Sequence, residues 1–462
     1  LFEMNVPAGA ILHYRTYPCV IPPDITDDGS RRKLGWRFDG VSPLAALEYV
    51  PPGYNEPMRI AFATEPSSLE GVALESCTWE EIGRWHSRLA SDRHLPLPHG
   101  PVPVPNNPGG IVRQEYDRII SEMRYVAIEV GLGGWQPRPA ELTARRGFGD
   151  CKDLSTLLAS RLRNAGIEAY TASLLTRDLG VTDTSFPAVQ FNHVIAVALI
   201  GPDTVWMDPT CNRCPLGDLP LGDEAVMTLV TAESGGMLRR TPPSTADENS
   251  MVRRLNLHVQ PDRTVRFEAV SEITGNYATS LRNALDGATA DQQRAIVIAT
   301  FPDPDRRIAV DSFSVHNLQA LYEPLQVRAF GHSLRPERVF RSILYHNPFL
   351  MHATTGLMEV ALNGRTVPLD LRYPHSIRDS ITIDWSDAIT PDSIAAPNDT
   401  SATYSFGAVS LTCRSTERAV TVELNRRIDA YLVPVDWFGE FERYVELLRG
   451  IHKSYVKIRF RE

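Results

Sequence analysis

Cys151, His193 and Asp208 are the residues of this chain whose types and settings point to nucleophilic acyl transfer. Cys151 stands in Arg146-Gly-Phe-Gly-Asp-Cys-Lys-Asp153. Gly147 and Gly149 permit a sharp turn and Asp150 is a good N-cap, so a helix is predicted to open at Cys151. Leu154, Leu157, Leu158, Leu162 and Ala165 then recur at helical spacing, and Gly166 supplies the stop. On a first helical turn, unpaired N–H groups and the macrodipole favour the thiolate, which is the nucleophile.

Two predicted strands, residues 189–200 and 203–210, bring the partners. Phe191, His193, Ile195 and Val197 share one strand face by the two-residue period, a face expected to pack on the Cys151 helix. If Gly201-Pro202 is a two-residue loop, Ile200 pairs with Asp203 and Asp208 lies opposite Ile195. Asp208 is then diagonal to His193, at about 7–8 Å between backbones and within side-chain reach. The order is thiolate, imidazole, orienting carboxylate. Each residue also has a plainer reading. Cysteine packs as a small hydrophobe, histidine sits satisfied in cores, and an aspartate before Pro209 initiates turns. Their joint placement favours the triad.

The blocks Gly149-Asp-Cys-Lys-Asp153, Phe191-Asn-His-Val194 and Trp206-Met-Asp-Pro-Thr210 resemble the Cys, His and Asp blocks of the transglutaminase-like superfamily, relatives in fold of papain-type proteases. Gly133-Gly-Trp-Gln-Pro137 before the cysteine and Pro215-Leu-Gly-Asp-Leu-Pro220 after the aspartate are similar to segments of one bacterial branch. In that branch the core lies between an N-terminal β domain and a C-terminal β-rich domain. The specific likeness runs over residues 110–222. It implies an α+β fold, a papain/transglutaminase-like core flanked by β-rich domains, with a protein or peptide substrate and no cofactor. It also implies an oxyanion donor ahead of the nucleophile, for which Gln136 and Trp135 are the candidates beside the Cys151 N–H. Packing for Trp135 and turn capping for Gln136 are the competing roles. Lys152 and Asp153 read as solvated or helix-stabilising, and Arg145 and Arg146 as surface. Proteins of this branch are commonly exported by bacteria, which implies a periplasmic or extracellular location.

At 462 residues the chain has room for about three domains. A net charge of −9 argues against a general nucleic-acid binder, and no apolar run is long enough to span a bilayer. The chain opens on Leu1 without a signal-peptide pattern, the look of a processed or truncated product. Of the six cysteines, Cys211-Asn-Arg-Cys214 forms a CxxC with no second ligand pair of zinc-site spacing, so no metal is expected there. A loop disulfide or two structural thiols are the readings left open. No P-loop, dinucleotide fingerprint or EF-hand is present.

Three regions are expected. Residues 1–72 read as β structure, part of an N-terminal β domain. Residues 73–235 hold the core with preceding helices near 78–90 and 113–124, joined by a proline-rich linker at 96–108. Residues 250–462 read as β-rich, with helices near 275–285 and 290–301 and a last amphipathic helix carrying Trp437, Phe441, Tyr444, Val445 and Leu448. This last region shows no catalytic constellation, and its His375 and Asp384 read as surface or turn residues. Two functions from different classes follow. One is cysteine-dependent acyl transfer or amide hydrolysis through Cys151, His193 and Asp208. The other is a non-catalytic envelope or surface assembly protein that keeps the fold as a scaffold.

Overall fold

A computed structural model describes the chain except for residues 41–46, 55–57, 66, 70, 99–101, 129–130, 301–307, 350–359, 361 and 461–462. Part of the expected linker and the end of the helix expected at 290–301 fall outside the described residues. The chain divides into two compact units, one of residues 1–47 and 52–243, the other of 48–51 and 244–462.

The first unit is built around an antiparallel sheet and four helices. The helices are α1 (Trp79–Ala90), α2 (Pro108–Glu122), α3 (Ala140–Arg146) and α4 (Cys151–Asn164). Proline at the first position of α2 starts it five residues earlier than its apolar spacing announces. The strands are β1 (Glu168–Leu174), β2 (His193–Ile200), β3 (Asp203–Met207), β4 (Met227–Ala232) and β5 (Gly235–Arg240), in the order β3-β2-β1-β4-β5. The β2–β3 turn has the expected register, with Ile200 paired to Asp203 and Ala196 to Met207. β2 begins at His193 rather than at 189, so Phe191 precedes the strand.

One expectation about faces is corrected. Ile195 and Val197 pack with Ala172, Leu174, Trp206, Leu219, Val226 and Val230, a cluster without the leucines of α4. The helix instead lies against the alternate face of β1 and β2, where Ala196 and Ala198 are fully buried and Ser155 Oγ donates to the Val194 carbonyl at 2.9 Å. Small side chains there let a helix approach a sheet closely. α4 is buried almost all round, and on it Ser160 Oγ donates to the Thr156 carbonyl. Ahead of the helices, strands Phe2–Pro7, Arg31–Trp36 and Asp24–Asp27 form a small sheet closed over Trp36, and Ile11–Tyr17 pairs with Arg59–Glu65.

The second unit carries an eight-stranded sheet. Its strands are β6 (Ser250–Val259), β7 (Val265–Ile273), β8 (Ile308–His316), β9 (Leu325–Ser333), β10 (His375–Trp385), β11 (Thr400–Tyr404), β12 (Gly407–Ser415) and β13 (Ala419–Ile428). The order is β8-β9-β7-β6-β10-β13-β12-β11, with β6 and β10 parallel. Alternating apolar residues of β6, β7, β9, β10, β12 and β13 face a core shared with the last helix, α7 (Phe438–His452), through Phe441, Tyr444, Val445 and Leu448. Trp437 sits in the 3-10 turn before it. α5 (Gly275–Leu285) and α6 (Ala290–Ala299) follow β7. His375 opens β10 and is half-buried against Tyr277 and Tyr373, not a surface residue. Asp384 lies in the same strand, exposed and paired with His258.

Candidate active site

The N-terminus of α4 is fixed by a reciprocal capping box. Asp150 Oδ1 accepts from the Asp153 N–H at 3.2 Å, and Asp153 Oδ2 accepts from the Asp150 N–H at 3.3 Å. Asp153 Oδ1 also accepts from the Arg138 N–H at 2.7 Å, tying the preceding segment to the helix start. Gly147 ends α3 in the left-handed conformation at φ 70°, while Gly149 is needed for space, since a Cβ would stand 2.7 Å from Asp153 Cβ. A short parallel bridge from Arg124–Tyr125 to Phe148–Gly149 holds this approach. Lys152 is buried and paired with Asp150, against the expectation of a solvated position. The short side chain of Asp150 faces back toward Lys152, and one residue thereby serves as both cap and counter-ion.

Cys151 is the first residue of α4, and His193 is the first residue of β2, paired with Leu174 at the end of β1. The two meet at the end of the sheet, which is how a helix on one face reaches a histidine whose strand neighbours line the other. Cys151 is 4% exposed, and its thiol is near enough to the His193 imidazole to raise that ring's proton affinity. His193 Nε2 lies 3.4 Å from Asp208 Oδ2 and 3.8 Å from Asp223 Oδ2. Both carboxylates address Nε2.

Asp208 follows β3, and its two oxygens divide the two roles read from the sequence. Oδ1 accepts from the Thr210 N–H at 2.9 Å and the Thr210 hydroxyl at 2.7 Å, an Asx-type turn, while Oδ2 faces His193. The Asp208 carbonyl accepts from the buried Tyr116 hydroxyl at 3.3 Å and from the Cys211 N–H at 3.2 Å. Cys211 and Cys214 form a disulfide, and the same Tyr116 hydroxyl lies 3.2 Å from the Cys214 carbonyl. The loop carrying Asp208 is thus held from both sides.

The site's electrostatics follow from burial and pairing. Burial pushes the His193 imidazole down, but hydrogen bonding to Asp208 and Cys151 and the charges of Asp208 and Asp223 hold it well above its ordinary range. Burial pushes Asp208 up, and His193 with the Thr210 donors brings it below the usual carboxylate range. Asp223 goes the other way. Burial and the charge of Asp208 hold it well above that range, with His193 offsetting only part.

Asp223 is the member of this cluster that the sequence did not single out. It ends a 3-10 turn, Leu221–Asp223, just past the Pro215–Pro220 segment, and no spacing rule links it to His193. The oxyanion candidates are engaged elsewhere. Gln136 Nε2 donates to the Leu89 carbonyl at 2.9 Å and its Oε1 accepts from Arg93 at 3.1 Å, fastening the end of α1. Trp135 packs edge-on against Trp85 and is 38% exposed. Among the described residues, two groups bring His, Cys or carboxylate atoms within 4.8 Å of one another, His13–Glu65–Cys77 and His193–Asp208–Asp223. In both, histidine faces carboxylate directly, an ion-pair arrangement. Also among the described residues, no helix is long and apolar enough to cross a membrane.

No protein-family model matches the chain, and no curated protein matches it by sequence. Among solved structures, a candidate protease from Parabacteroides distasonis aligns over 99% of this chain and 72% of its own, with a TM-score of 0.57 and 12% identity. A candidate cysteine protease from Cytophaga hutchinsonii aligns over 45% of this chain and 66% of its own at 12% identity, and its TM-score of 0.19 carries no argument. The chain therefore has a mixed α+β architecture whose fold resembles, along nearly its full length, that of a protein described as a protease.

Proposed function

We propose that this chain is a cysteine-dependent acyl-transfer enzyme, acting on amide bonds of a protein or peptide in the manner of the transglutaminase and papain-type families. The observation that carries the reading is His193, 3.4 Å from the buried Asp208 carboxylate and within interaction range of the Cys151 thiol at the start of α4. The Cys151 thiolate attacks the amide carbonyl to give a tetrahedral oxyanion. The C–N bond then breaks as imidazolium His193 gives its proton to the departing amine, leaving a thioester. Water or a second amine attacks that thioester, His193 takes the proton, and the thiolate departs. Asp208 fixes the ring and stabilises its cationic form throughout.

The disulfide beside Asp208 supports an oxidising compartment, the periplasm or cell exterior. The near-burial of Cys151 favours a second reading, a fold kept as an assembly scaffold. The test is mass spectrometry of acid-quenched protein incubated with peptide amides and a fluorescent amine. The enzyme reading expects acylated Cys151 and product that Cys151→Ala cannot form while it folds like wild type. Product formation undiminished in Cys151→Ala, or no acylation across a broad peptide set, favours the scaffold.

A further inference from the structure

His193 faces two carboxylates where one is enough. Asp208 and Asp223 are 3% and 2% exposed, and both present Oδ2 to the same ring nitrogen. A single imidazolium neutralises one of two buried anions, and leaving the second ionised and buried is unfavourable. The partners differ in a telling way. Asp208 has donors on Oδ1 and His193 at Oδ2, as an ionised carboxylate requires. Asp223 Oδ2 is buried with no hydrogen-bond partner, so no donor there compensates a negative charge. The groups that bear on it are Asp208 after β3, His193 on β2 with Cys151 behind it, and Asp178 in the β1–β2 loop. Arg177 meets this turn through its backbone N–H to the Gly222 carbonyl, and Thr241 through its hydroxyl to the Asp223 carbonyl. The charges that bear most on the carboxyl are those of Asp208, His193 and Asp178.

We infer that Asp223 is a protonated positioning residue that donates its hydrogen to Asp208, so that one carboxylate and one carboxylic acid together orient His193. The direction of its proton affinity agrees. The donated hydrogen fixes Asp208 Oδ2 and tempers its pull on the imidazole, which keeps His193 able to release its proton to a leaving group. The proton assignment stands on the geometry of the cluster, and its catalytic consequence rests on the acyl-transfer reading above.

Two readouts keep these apart. The first is the NMR titration of His193 in the full chain, assigned by loss of its signal in His193→Gln. Asparagine mimics a neutral, donating Asp223, so Asp223→Asn should move the His193 midpoint by less than about 0.5 unit. Asp208→Asn should lower it by roughly 1–3 units. A fall of more than about one unit in Asp223→Asn would mean that a full charge was lost and would overturn the assignment. Micromolar zinc that raised the melting temperature of wild type but not of Asp223→Asn would overturn it too, since the pair would then be an ionised cation site. The second readout is the pH profile of Cys151 alkylation. Asp223→Ala should slow it about tenfold, while Asp223→Asn stays within about twofold of wild type. Equal rates in all three, or equal losses in both variants, would overturn the positioning role. If Asp223→Ala does not fold, the comparison of Asp223→Asn with wild type still decides the protonation. Failure of the acyl-transfer reading would leave the titration result intact.

Discussion

Each unit buries a cluster of charged residues, and the two clusters are composed in opposite ways. In the second unit Asp379, fully buried in β10, receives Arg253 at 2.5 Å and Arg426 at 2.9 Å. One acid is enclosed by two guanidiniums, cations that keep their charge across the physiological range. In the first unit two carboxylates and a thiol surround one imidazole, the side chain whose charge changes most readily near neutrality. A buried ion cluster is therefore not by itself a site. An excess of fixed cation makes a structural clamp, whereas an excess of acid around a single histidine leaves a proton that has to move.

Exchanging the same substitution between the clusters gives the largest contrast. Asp208→Asn should cut acyl transfer by about 10³- to 10⁴-fold with a small change in melting temperature, because it disturbs the imidazole without emptying the core. Asp379→Asn should instead cost about 3–5 kcal/mol of stability, leaving two buried arginines undercompensated, with Cys151 reactivity unchanged. Kinetics and chemical denaturation on both variants check this pairing. Similar losses of stability in both would erase the distinction.

Acid should act on the first unit next. Burial holds His86 down to about 4, and burial with the Arg163 charge does the same for His94, both in the first unit. A histidine whose folded value is depressed leaves the unfolded chain to bind the proton first. Stability is then lost as pH falls from about 6.5 to about 4, by on the order of 3 kcal/mol per buried ring. His193, raised on folding, has the opposite sign, and its contribution fades as pH rises through its folded value. Trp36, Trp79, Trp85, Trp135 and Trp206 of the seven tryptophans report on the first unit by fluorescence. His86→Leu should flatten its stability between pH 7 and 5 by about 2 kcal/mol. An unchanged slope would mean that His86 is not held neutral.

The smallest effect belongs to the disulfide. Closing so short a loop is worth at most about 2 kcal/mol, so the Cys211→Ser, Cys214→Ser pair should unfold only slightly earlier. Its larger consequence should be a lower acyl-transfer rate, since that loop carries the Asp208 carbonyl contacts. A rate equal to wild type would show that Tyr116 holds Asp208 unaided.

What could be read from the sequence was local. Asp150 before Cys151 announced the capped helix, and a two-residue turn fixed the register that brings Asp208 beside His193. Asp223 was hidden because it arrives through a loop, where no periodicity relates it to a strand face. The face covered by α4 was misread because alternation says which residues share a side, not which element covers it. Lys152 looked solvated because nothing in its neighbours announces that α4 is buried on every side. In the second unit the parallel pairing of β6 with β10 joins segments more than a hundred residues apart and leaves no local trace.

The claim at the centre of this account is that His193 activates Cys151. Iodoacetamide alkylation across a pH range, followed by peptide mapping, measures it in wild type and His193→Ala. The account predicts selective modification of Cys151 that slows at least tenfold without the imidazole. Modification of Cys151 at the same rate in His193→Ala as in wild type at every pH would contradict it.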